Sequence, residues 1–144
     1  MFETVAAYIG AAFMVIVGMF ALLKGGEPER IGAGTYLMAW FASVLVQSNA
    51  GLMGVQWAMF AIDVAVLLVF IAMVWKAPRS WPVWACALQL LTVTSHVMIM
   101  LDLRTPVSAF YTVVNMTGYG IMLAIAIGTF WAWQERRAIG ADAE

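Results

Sequence analysis

Two residues that lipid does not readily tolerate stand inside apolar runs: Asp63 in "QWAMFAIDVAVLLVF" and His96, the only histidine, in "LQLLTVTSHVMIMLD". A carboxylate beside an imidazole fixes the ring's tautomer and creates a place where a proton can be held or released. That is the chemistry of a proton-exchanging centre or, if the pair is fully satisfied, of a structural clasp. A charged Asp at the centre of a membrane span costs about 2.5 to 3.5 kcal/mol on insertion scales, so Asp63 must find a partner or be protonated.

The need for a partner depends on those runs being spans. The chain has 144 residues, of which 65% are hydrophobic and 10% charged, with net charge -1. A soluble domain carries about 25% charged residues to cover its core. This chain cannot, and its mean hydropathy of +0.93 makes lipid its solvent. Nearly all of it is membrane span, which leaves no room for a soluble catalytic domain. The charge balance gives no electrostatic footprint for nucleic acid.

A helix needs about 20 mostly apolar residues to cross the bilayer core. Gaps rich in charge, Gly or Pro divide the chain into five such helices, at 5–23, 31–48, 55–75, 81–101 and 107–133. The expected fold is therefore an all-α bundle of five transmembrane helices, a single domain over 1–137 with a short flexible tail at 138–144. "MFETVAAY" lacks the basic start of a signal peptide, so the first helix is expected to be retained. With five spans, Lys24, Arg30, Lys76, Arg79, Arg136 and Arg137 share one side and Arg104 alone lies on the other. Basic residues stay in the cytoplasm, which puts the N-terminus outside and the C-terminus inside. Trp75, Trp81, Trp84, Trp131 and Trp133 then fall at the inner boundary. A four-span reading that fuses the second and third runs breaks this asymmetry. Five spans do not divide into two halves, which argues against an inverted-repeat transporter.

At 1.5 Å per residue, Asp63 and Asn115 lie roughly 12 Å below the outer boundary and His96 roughly 7 to 8 Å. Positions four or seven apart share a helix face. Gln56 shares one with Asp63, Gln89 and Thr92 with His96, Tyr111 with Asn115, and Trp40 with Gln47. The sequence thus predicts a periplasm-facing polar pocket built from Asp63, His96, Asn115 and Tyr111, with Gln47 and Gln56 near its mouth. The plain alternative is that such groups only tie helices together, at about 0.6 kcal/mol each.

Other chemistry is thinner. A metal site needs three or four ligands, which Asp63, His96 and the lone Cys86 do not supply. A haem held by His and Met would need a selected methionine, and none of the 11 stands out. The cofactor is left unknown, and Cys86 and the methionines read as packing. "GGEPER" reads as an ordinary helix connection. Gly120, Ala124, Gly128 and Ala132 form a small-residue stripe that admits another helix closely, as do Thr35, Ala39 and Ser43. The occupant can be a neighbour within the bundle or a second protomer.

"RSWPVWACALQLLTVTSHVMIMLD" and "YTVVNMTGYGIMLAIAIGTFWAWQERR", roughly the C-terminal half, resemble small integral membrane proteins of alphaproteobacteria. The resemblance implies a bacterial inner membrane and no activity. Two functions follow as expectations. One is proton-linked transport or binding of a small solute, by a protein that is oligomeric. The other is an accessory or assembly subunit of a larger inner-membrane complex, its partners being other membrane subunits. An enzyme acting on lipid through Asp63 and His96 would want an anionic-headgroup clamp, and the outer side offers only Arg104.

Overall fold

The computed structural model describes residues 2–49, 52–101, 104 and 106–142. It is all-α, with five helices: α1 Phe2–Lys24, α2 Glu27–Asn49, α3 Leu52–Lys76, α4 Trp81–Met100 and α5 Val107–Asp142. All five are long and apolar enough to be membrane spans. Their outward faces carry large apolar side chains such as Ile16, Met38, Leu68 and Leu123, as expected where lipid replaces water.

Each helix packs on its neighbours in chain order, and α5 closes the ring by packing on both α4 and α1. A smaller contact between α2 and α5 crosses the middle. The core under it is Val17, Ala21, Ala33, Val66, Phe70, Trp81, Ala85, Ile121, Met122 and Ile125. The end of α1, the start of α2, the α3–α4 turn and the end of α5 meet at one end of the bundle, here called the inner end. There the Arg136 guanidinium donates to the Lys24 carbonyl, and Arg79 pairs with Glu135 at 2.8 Å.

Helix bounds differ from expectation where capping outweighs hydropathy. The second helix starts at Glu27, not 31, because Gly26 and Glu29 close its first turn: the Gly26 N–H donates to Glu29 Oε2 at 2.9 Å. A Glu at the third helical position reaching back to the cap is half of a capping box. The tail expected to fray from 138 is helical to Asp142. At 36 residues α5 is about 54 Å long, so it outreaches the roughly 30 Å hydrocarbon core.

Small residues on α5 set the α4–α5 distance. A Cβ on Gly120 would stand 2.8 Å from Leu88 Cδ1, and one on Gly128 would fall inside the Trp81 ring. Ala124 and Ala132 are buried on the same stripe. This stripe is filled from within the bundle, by α4.

Candidate functional site

Asp63 sits on the inward face of α3, one turn outward of Val66 and Leu67, where that face stops being fully buried. Across from it, α4 turns a continuous buried stripe inward: Ala85, Gln89, Thr92 and His96. Spacings of three and four residues keep this set on one side of the helix. Gln89 Nε2 donates to Asp63 twice, to Oδ1 and to the backbone carbonyl, each at 3.0 Å. His96 Nε2 lies 2.8 Å from Oδ2, with the His96 side chain 6% and the Asp63 side chain 20% exposed. The approach is off the N–H axis, so Nε2 makes no directed hydrogen bond. The carboxylate is therefore anchored at Oδ1 and opposed, without a locked proton, at Oδ2.

Aromatic rings hold the imidazole in place. Phe110 of α5 meets it edge-on at 5.0 Å between centroids, and Phe60 of α3 at 6.5 Å. Next to this group, Thr92 and Thr117 share a hydrogen bond of 2.6 Å between α4 and α5. From α2, Tyr36 comes within electrostatic range of Asp63. Its hydroxyl packs on Gly118, where a Cβ would stand 3.1 Å away.

Of the six residues expected to form the pocket, the structure brings Asp63 and His96 together. Asn115, Tyr111, Gln47 and Gln56 do not touch that pair, and all four are exposed. The α5 residues packed beside the pair are not the expected Tyr111 and Asn115 but Phe110 and Thr117, which meet His96 and Thr92 of α4 and lie on the opposite side of the helix from Asn115. At 100° per residue, Asn115 falls between the Gly118 face that meets Tyr36 and the Tyr119 face that meets Gly10 and Phe13 of α1. Sequence spacing correctly pairs Tyr111 with Asn115 but does not say which neighbour they face.

Sequence reasoning also passed over a second polar centre at the inner end. Glu29 has no exposed surface. Its Oε1 accepts from Trp81 Nε1 at 2.9 Å and lies 3.7 Å from Arg79 Nε. The Trp81 ring rests against Gly32 and Gly128, so α2, α4 and α5 converge on one indole. Two concavities are formed on the bundle, and Asp63 lines neither of them. One is at the inner end, around Arg79, Trp81, Trp131 and Glu135; the other is an apolar groove between α1 and α5, lined by Ile9, Phe13, Met116, Tyr119, Gly120 and Leu123. Among the described residues, no three His, Cys, Asp or Glu side chains gather as a metal site.

No family model, curated protein or solved structure matches the chain. It is a small multi-span helical membrane protein.

Proposed function

We propose that this is a bacterial inner-membrane protein, N-terminus outside, that binds or carries a small solute in exchange with protons. The Asp63–His96 pair exchanges the proton: His96 is the base that takes it, and Asp63 the carboxylate that its charge then occupies. The observation that carries this reading is the 2.8 Å approach of His96 Nε2 to Asp63 Oδ2 inside the spans, without a directed hydrogen bond. A purely structural clasp would gain most from an aligned, fully satisfied pair. This one leaves Oδ2 able to exchange its partner. The resemblance and the six-to-one basic asymmetry support the membrane and the orientation.

The test is proton uptake by the purified protein in detergent, followed from about pH 8 to 5, the range in which histidine changes charge. Wild type should take up protons that Asp63→Asn and His96→Ala each lose. Identical titration of all three ends the proposal.

A second reading, an accessory subunit, is favoured by the apolar groove between α1 and α5, which is lined by side chains of both helices and has Gly120 in its wall. Native mass spectrometry of protein released gently from its own membrane tests it: other polypeptides in the complex favour the subunit, and the chain without them favours the proton-linked reading.

A further inference from the structure

Tyr36 of α2 meets Gly118 of α5. The two helices are antiparallel, so a continued contact would next join Ser43 with Tyr111, each seven residues further toward the outer end and on the same face as its predecessor. At that level Ser43 is only half-buried, and Tyr111 is 60% exposed. The whole inward face of α2 follows the same gradient: Glu29 and Ala33 are buried, Tyr36, Trp40 and Ser43 half-buried, and Gln47 exposed. On α3 the inward face goes from buried Phe70 and Val66 through Asp63 and Phe60 to exposed Gln56. By contrast, α4 stays buried from Trp81 to His96. Above Tyr36 the bundle is thus buried along α4 and less covered on the facing sides of α2 and α5.

We propose that α2 and α5 part above Tyr36 into a water-accessible cleft leading to Asp63, and that the site at its foot takes a small ammonium-type cation. The inference rests on the proton-linked reading above and names its solute class. Three features select a cation. First, Asp63 keeps a fifth of its side chain accessible and has no directed hydrogen bond at Oδ2. Second, the face above it carries Tyr36, Trp40 and Tyr111, and aromatic faces attract cations. Third, apart from His96, the described cationic side chains stand at the inner end, with the single exception of Arg104 in the α4–α5 connection. The groups that face Asp63 are Tyr36 from α2, Gln89 and His96 from α4, and, through His96, Phe110 from α5. His96 is the only one among them that can carry positive charge.

His96 and the cation therefore compete for one carboxylate. With His96 neutral, Asp63 is free to pair with the cation. Protonation of His96 supplies an internal counter-ion and expels it. One proton is released for each cation bound, and charge balances at the site.

The experiment labels single cysteines on a Cys86→Ser background with a membrane-impermeant maleimide, using tetraethylammonium chloride as the probe and sodium chloride as the ionic-strength control. Ser43→Cys should label readily. Leu45→Cys, 63% exposed on the opposite face of α2, should label poorly because it meets lipid. Tetraethylammonium should slow labelling at Ser43→Cys, more strongly at high pH, and the protection should vanish in Asp63→Asn. Trp40→Leu, which leaves the clasp intact, should weaken protection by about threefold, the value of one aromatic face. It decides the matter if Asp63→Asn does not fold. Equal labelling at the two positions removes the cleft. Absent protection, or protection that survives Asp63→Asn, removes the cation site. If Asp63-dependent proton uptake persists in that case, the cation inference falls alone; if uptake is lost as well, the reading beneath it falls too.

Discussion

The Trp81 indole donates to the carboxylate of Glu29, 52 positions away in the chain and without exposed surface, at 2.9 Å. This bond ties the first turn of α2 to the first residue of α4, next to the point where Trp81 presses on Gly128 of α5. The same carboxylate accepts from the Gly26 N–H, so one side chain both caps a helix and joins three. A buried acceptor with two donors is worth more for the donors it satisfies than for its charge, because each orphaned donor costs about 1 to 3 kcal/mol.

Substituting Glu29 separates these contributions. Glu29→Gln keeps one oxygen, for Trp81 or for Gly26, leaves the other donor facing an amide N–H, and loses the charge opposite Arg79, a pairing weakened by its 3.7 Å length and by the partial exposure of Arg79. It should cost about 1 to 3 kcal/mol, the value of one orphaned donor. Glu29→Ala strands both donors and opens a cavity, and should cost about 2 to 5 kcal/mol. Denaturant unfolding in mixed micelles measures both. Equal losses would mean that charge, not donor satisfaction, carries the interaction.

Arg79 has a second carboxylate, and the shorter contact should matter less. Glu135 lies 2.8 Å from Arg79, but its side chain is 57% exposed. Solvent screening limits such a pair to about 0 to 1 kcal/mol. Glu135→Gln should therefore leave unfolding nearly unchanged, and raising salt should erase what effect there is. A loss as large as that of Glu29→Ala would show that this end of α5 is sealed from solvent.

What could be read from the sequence follows from what each signal encodes. Apolar length marks a span whatever surrounds it, so the five helices and their order were legible. Helical spacing assigns residues to a shared face, so Gln89, Thr92 and His96 were legible as one stripe of α4. Spacing does not say which neighbour a face meets. Hence spacing groups Tyr111 and Asn115 with Asp63, whereas at that level α5 sends Phe110 and Thr117 toward α4. Likewise the Gly120–Gly128 stripe announced a close approach but not that Leu88 and Trp81 make it. Glu29 was missed because a Glu among Gly and Pro resembles a solvated turn. Its one local signal was its position, three residues after Gly26 at a helix start, where a capping carboxylate belongs.

The two glycines of that stripe should respond differently to the same added methyl. At Gly120 the new Cβ would stand 2.8 Å from Leu88 Cδ1, the end of a flexible side chain with Cδ2 at 3.6 Å. A rotamer change relieves it, so Gly120→Ala should cost less than about 1 kcal/mol. At Gly128 the nearest atoms belong to the Trp81 indole, which is pinned by Glu29 and rests edge-on against Phe70 at 6.4 Å. The ring cannot move without breaking its hydrogen bond. Gly128→Ala should therefore cost about 1 to 3 kcal/mol and shift tryptophan emission as the indole is displaced. In a Trp81→Leu background, which gives up the hydrogen bond but clears the space, the same Gly128→Ala change should cost less than it does in wild type. A Gly128→Ala penalty that persists unchanged in that double variant would place the clash elsewhere on α4.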